Sequence, residues 1–193
     1  MTRNNPFRLL LAVPLFFAAA TVSAQPIHKT ASYEIILNGT SNLHDWTMKS
    51  AGSGLEASFT VLPTKIAAIN PPMIFNLPVK SLKSHESSMD SRAYNALNAN
   101  KFPNITFRLV SAVTGTAQGN RAPVRATGQL TISGTTRDIV LNATTVTNSD
   151  GSVQITGTQT IRFSEYGLKA PSFMLGALRC GDVLTITYNV RFN

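Results

Sequence analysis

The chain has 193 residues, carries 17 Lys and Arg against 9 Asp and Glu for a formal charge of +8, and holds one cysteine. That length supplies one domain with a substantial core. The arginines, Arg108, Arg125, Arg162 and Arg191 among them, fall in different strands and turns. This scatter leaves no basic stripe or aromatic platform for nucleic acid, although a basic exterior tolerates transient contact with an anionic membrane surface.

Residues 1–24 read as a secretion signal. Arg3 and Arg8 form the positive n-region, Leu9 to Val22 is apolar, and Val22-Ser23-Ala24 places small residues before Gln25, the expected cleavage point. The apolar run is short of the ~20 residues of a membrane span. Residues 25–193 are then expected to form a single exported domain. Its lone Cys180 has no internal partner and reads as a small shielded residue.

From residue 30 onward, apolar and polar residues alternate with the period of half-buried strands. Tyr33, Ile35 and Leu37 share one face, and Leu55, Ala57 and Phe59 share the next. Met73, Phe75, Leu77 and Val79 follow, where Pro78 marks an edge or a bulge. Ile105, Phe107 and Leu109 come next, then the run from Val124 to Ile132. The turn Ser133-Gly134-Thr135-Thr136 leads to Ile139, Leu141 and Ala143, and Asn148-Ser149-Asp150-Gly151 leads to Val153 through Phe163. The last strand alternates Leu184, Ile186, Tyr188, Val190 and Phe192 with polar residues. About eight strands with short turns make an all-β antiparallel sandwich or barrel.

Two longer segments interrupt the pattern. In Ser81 to Asn104, Met89, Ala93, Ala96 and Leu97 fall at helical spacing, with Ser84 or Ser87 as the cap. Ser164 to Asp182 contains Pro171, Phe173, Met174, Leu175 and Leu178, too apolar for a free loop, and is expected to fold over a barrel end.

Little points to catalysis or to a metal. His44-Asp45 and His85-Glu86 lack a ligand spacing, no serine lies in G-x-S-x-G, and no cofactor is expected. In Ser41 to Trp46, the expected role is a turn in which Asp45 bonds neighbouring amides while Trp46 seals the barrel floor. The alternative puts Trp46 at a pocket mouth, with His44 and Asp45 touching a head group. Inward small residues such as Ala126, Gly128, Ala143 and Gly157 leave volume that suits a hydrocarbon chain.

Several stretches, in this order, resemble the YceI-like family of exported bacterial proteins. They are Leu43-His44-Asp45-Trp46, Val79 to Ser84, Ala99-Asn100-Lys101-Phe102-Pro103-Asn104-Ile105-Thr106-Phe107, Gly128 to Thr136, and Tyr166-Gly167-Leu168. The resemblance implies a lipocalin-like antiparallel β-barrel of about eight strands with one short helix, without established catalysis. Its pocket would hold an isoprenoid, quinone or fatty-acyl lipid. The residues expected to bind it are Trp46, Phe59, Phe75, Leu77, Met89, Phe107, Leu109 and Met174, with Lys80, Lys83, Lys101 or Lys169 near a charged head group. Two copies could pair as a homodimer through an edge strand. Two rival expectations are a small outer-membrane barrel and an enzyme that uses His44 and Asp45 on an apolar substrate.

Overall fold

The computed structural model describes residues 26–62 and 65–193. The expected leader, residues 1–24, lies outside the described residues, as does the side chain of Met174. The described strands are β1 (Pro26–Ser41), β2 (Trp46–Leu62), β3 (Lys65–Asn70), β4 (Ile74–Pro78), β5 (Asn104–Thr114), β6 (Arg121–Ile132), β7 (Thr135–Thr147), β8 (Val153–Arg162), β9 (Ser172–Phe173) and β10 (Leu178–Phe192). One helix, α1 (Ser87–Ala96), lies between β4 and β5.

The sheet runs β3-β2-β1-β10-β8-β7-β6-β5-β4, every pairing is antiparallel, and β9 pairs with the start of β10. Ten strands therefore stand where alternation marks about eight. The two that escape are the six-residue β3, whose Ile66-Ala67-Ala68-Ile69 run does not alternate, and the two-residue β9, too short to display a period of two.

The sheet curls into a half-barrel whose ends approach each other, with β3 beside β5 and β2 beside β4. One backbone bridge crosses this seam. The Lys49 amide donates to the Lys83 carbonyl at 2.7 Å, and the Lys83 amide returns a bond of 2.8 Å. Pro78 ends the edge strand β4, where a missing backbone donor does little harm.

Inward faces are apolar and outward faces polar. β10 turns Leu184, Ile186 and Val190 toward the interior and alternates them with Thr185, Thr187, Asn189 and Arg191. A lipid-facing barrel needs the reverse order, so the outer-membrane expectation fails on this strand.

Two strands change phase along their length. In β2, Met48 and Ser50 are buried, but beyond Gly54 the buried positions become Leu55, Ala57 and Phe59. Gly54 has φ 99°, a conformation open to glycine at little cost, and the register opposite slips between Ala31 and Ser32. β5 slips likewise between Leu109 and Ser111. Such bulges bend a strand and help a sheet curl.

The two ends of the barrel differ. At one, Phe59 and Phe192 are buried and meet edge to face, ring centroids 4.9 Å apart, beside the equally buried Val153. The opposite end carries α1, residues 41–46 and the segment after β8.

A cavity with a closed floor and a polar rim

A cavity of about 480 Å³ fills the interior between these ends. All seven strands from β4 round to β1 contribute to its wall through Phe75, Leu109, Leu130, Leu141, Ile155, Ile186 and Ile35, and almost all of the lining is apolar. Its charged side chains collect at the rim, where Glu86, Arg92 and Arg162 border the opening together with His44.

Aromatic rings lie along the inner face of the sheet because glycines leave room beneath them. Trp46 covers Gly39, Tyr33 covers Gly52, Phe107 covers Gly128 and Tyr188 covers Gly157. Three of the four are direct cross-strand pairs: Gly39 with Trp46, Tyr33 with Gly52, and Gly157 with Tyr188. The inward glycines Gly128 and Gly157 therefore do not supply free volume themselves. They let large rings lie flat, and the flat rings leave the centre open.

Helix α1 lies along the rim and turns Met89, Ala93 and Ala96 toward the cavity, with Leu97 just after its end. Neither Ser84 nor Ser87 caps it; Glu86 occupies the cap position without a side-chain bond. Instead the buried Asp90 reaches back and accepts the Ser84 amide at 2.7 Å and the Ser84 hydroxyl at 2.8 Å. Lys83 Nζ stands 3.7 Å from the same carboxylate, and the Tyr94 hydroxyl donates to the Leu82 carbonyl at 2.7 Å.

Burial works to raise the Asp90 carboxyl, but the two Ser84 bonds and the Lys83 ammonium outweigh it and hold the group below the usual carboxylate range. Asp90→Ala should cost about 1–3 kcal/mol of stability at neutral pH by orphaning those donors. Because the folded pKa is depressed, the contribution is complete above the ordinary carboxylate range and lost as pH falls through the folded value. Urea unfolding of both proteins across acid pH should show the gap closing.

Six of the eight residues expected to bind ligand line the cavity: Trp46, Phe75, Leu77, Met89, Phe107 and Leu109. Phe59 does not. It shares the inward face but sits deeper, in the floor against Phe192. Trp46 in turn is not the floor: it stands at the rim end, and its indole N–H donates to the Thr40 carbonyl at 3.1 Å.

The turn before Trp46 is tied by Ser41, not Asp45. The Ser41 hydroxyl oxygen accepts the amides of Leu43 and His44 and donates to the His44 carbonyl at 2.7 Å. His44 Nδ1 faces the Asp45 carbonyl at 2.7 Å, so this ring is engaged by backbone and not by a carboxylate. Among the described residues no group of three or more His, Cys, Asp and Glu gathers in metal-binding proximity.

None of the four lysines expected near a head group borders the cavity. Lys80 bonds Asn100, Lys83 pairs with Asp90, and Lys101 lies over the Phe102 ring. The rim cations are Arg92 and Arg162. Arg92 lies one turn after Ser88 on a helix whose apolar side alone is visible as a pattern. Arg162 ends β8, where alternation stops being informative. Cys180 also borders the cavity beside Trp46, and burial pushes its thiol pKa up, which suits a quiet wall residue better than a nucleophile.

The motif-bearing stretches meet in space. Phe102 packs on Gly134 and Phe107 on Gly128, so both phenylalanines of Phe102 to Phe107 rest on glycines of the Gly128 to Gly134 strand and turn. The Ser133 hydroxyl adds a bond of 3.0 Å to the Leu97 carbonyl at the end of α1. Tyr166 is buried in the wall, and Gly167 after it takes φ 67°.

A family model described as the YceI-like domain matches residues 25–192. The chain belongs to the YceI-like family. Solved structures share the fold of this YceI-like chain at low identity. Burkholderia cenocepacia BcnA is 17% identical with TM-score 0.54, over 85% of this chain and 95% of its own. A polyisoprenoid binding domain from Saccharophagus degradans, implicated in plant cell wall breakdown, is 11% identical with TM-score 0.63, over 86% and 97%. The Campylobacter jejuni YCEI protein is 18% identical with TM-score 0.53, over 71% and 80%. No curated protein matches the chain.

Proposed function

We propose that this YceI-like protein is an exported, periplasmic binding protein that carries an isoprenoid or other amphiphilic lipid chain in its barrel cavity. One observation carries the reading: an apolar cavity of about 480 Å³ with an aromatic floor and a charged rim. A pocket of this size falls within the ~300–1,000 Å³ of small-molecule sites. At the ~30 Å³ that a water takes in the liquid, it holds on the order of 16 heavy atoms. The wall offers hydrocarbon burial at about 25 cal/mol per Å², and the rim can meet a polar head. The polyisoprenoid binding domain that shares the fold supports an isoprenoid tail, and a quinone or fatty-acyl chain satisfies the same chemistry. The leader pattern before Gln25 supports export.

The same geometry favours binding over turnover. His44 is held by its own turn, and Cys180 is half-buried beside an indole. Native mass spectrometry of protein recovered from the periplasm should show one amphiphile per chain, removable by organic solvent. Protein that emerges empty and fails to take up a long-chain fatty acid or prenyl alcohol would overturn the reading.

A further inference from the structure

We infer that the floor pair Phe59 and Phe192 sets the length of chain that this cavity accepts. On the lipid-binding reading above, from which this limit follows, the ligand is a single-chain amphiphile with a tail of about 16 carbons. Phe192 borders the cavity, whereas Phe59 lies behind it and does not. The Phe192 ring is therefore the surface that the end of a tail meets, and Phe59 fixes how deep that surface lies. Phe192 stands between Ala31 of β1 and Val153 of β8, its direct partners in register. These four residues are at most 3% exposed, and one residue further on the Asn193 amide donates to the Thr30 carbonyl at 3.0 Å. A side chain packed on every side keeps one rotamer, so the floor stays at one height.

The inward rungs of β8 and β10 measure the distance from that ring to the opening. They start at Val153 with Phe192, continue with Ile155 and Val190, and end at Ile161 with Leu184. From Val153 to Ile161, at about 3.3 Å per residue and a strand tilt of about 40°, the floor lies roughly 20 Å below the top rung. An extended chain of about 16 carbons has that length, and the cavity volume admits a similar number of heavy atoms. Depth and volume thus agree on the same tail. A polyprenyl chain several times longer would leave most of its carbons outside in water, where they gain nothing from the wall.

Displacement of a fluorescent fatty acid from lipid-stripped protein by saturated fatty acids of increasing length, kept below micelle formation, tests this. Wild-type affinity should rise about fourfold with each added methylene and level off near 16 carbons. Phe192→Leu lowers the floor and should move the break to longer chains. Phe59→Leu, which lets the Phe192 ring sink, should move it the same way by less. Val190→Phe sits one rung above the floor and should move the break about four carbons shorter. That variant adds a ring to open space, so it decides the matter even where a floor variant fails to fold in urea unfolding. Wild-type affinity that keeps rising well past 16 carbons, or a break that stays put in a folded variant, would overturn the length limit and leave the binding reading standing. No displacement at any length would overturn both.

Discussion

Phe59→Ala should lower the unfolding free energy by about 3–5 kcal/mol, the largest single-residue effect expected on stability. Phe59 is completely buried and packs edge to face on Phe192, with planes 76° apart. Truncation removes the transfer energy of the ring and leaves a hole that Val153 and Ala31, themselves buried on the same floor, are poorly shaped to fill. In urea the midpoint should fall while the slope is unchanged. A cycle with Phe192→Ala should give a coupling of about 0.5–1.5 kcal/mol beyond burial. A loss below about 1 kcal/mol, typical of an ordinary substitution, would contradict the role of this pair as a plug.

Replacing both Ala126 and Ala143 by Phe should abolish ligand retention while sparing the fold. Both alanines border the cavity, on adjacent strands β6 and β7, and the added rings would occupy space now empty. Each methylene kept out of the wall forfeits about 0.8 kcal/mol, so excluding four weakens binding by about 3 kcal/mol, or roughly two orders of magnitude. Because the rings fill a void instead of crowding packed atoms, thermal unfolding should change by only a few degrees. Mass spectrometry of the periplasmic protein checks the first result and calorimetry the second. Retention at the wild-type level would place the ligand outside the barrel.

Alternation made β10 and β6 legible almost residue by residue, because every second side chain faces one apolar interior. It also placed Phe75, Leu77, Phe107 and Leu109 correctly on the wall. Depth along the barrel axis is a different matter. Phe59 and Phe107 have the same pattern signature, yet one belongs to the floor and the other to the wall, since a period of two specifies a face and not a height. Gly54 reverses the phase of β2 without any local warning beyond the glycine itself. At the rim, Arg92 and Arg162 were invisible for a related reason: polar residues at an element's end are the rule, and only the folded chain shows which ones border an opening. The lysines of the Val79 to Ser84 stretch were misleading because neighbouring side chains hold them, Lys80 on Asn100 and Lys83 on Asp90.

The floor made by Phe59 and Phe192 has a consequence for traffic. A tube sealed at one end is a cup and not a conduit. On the proposed reading, an amphiphile would go in tail first and come out head first through the same doorway, so loading and unloading would happen one after the other. Such a carrier could not serve two membranes at once and would have to let go of one before visiting the next. Exchange would then slow as the gap to be crossed widens, whereas flow through a bridge would not.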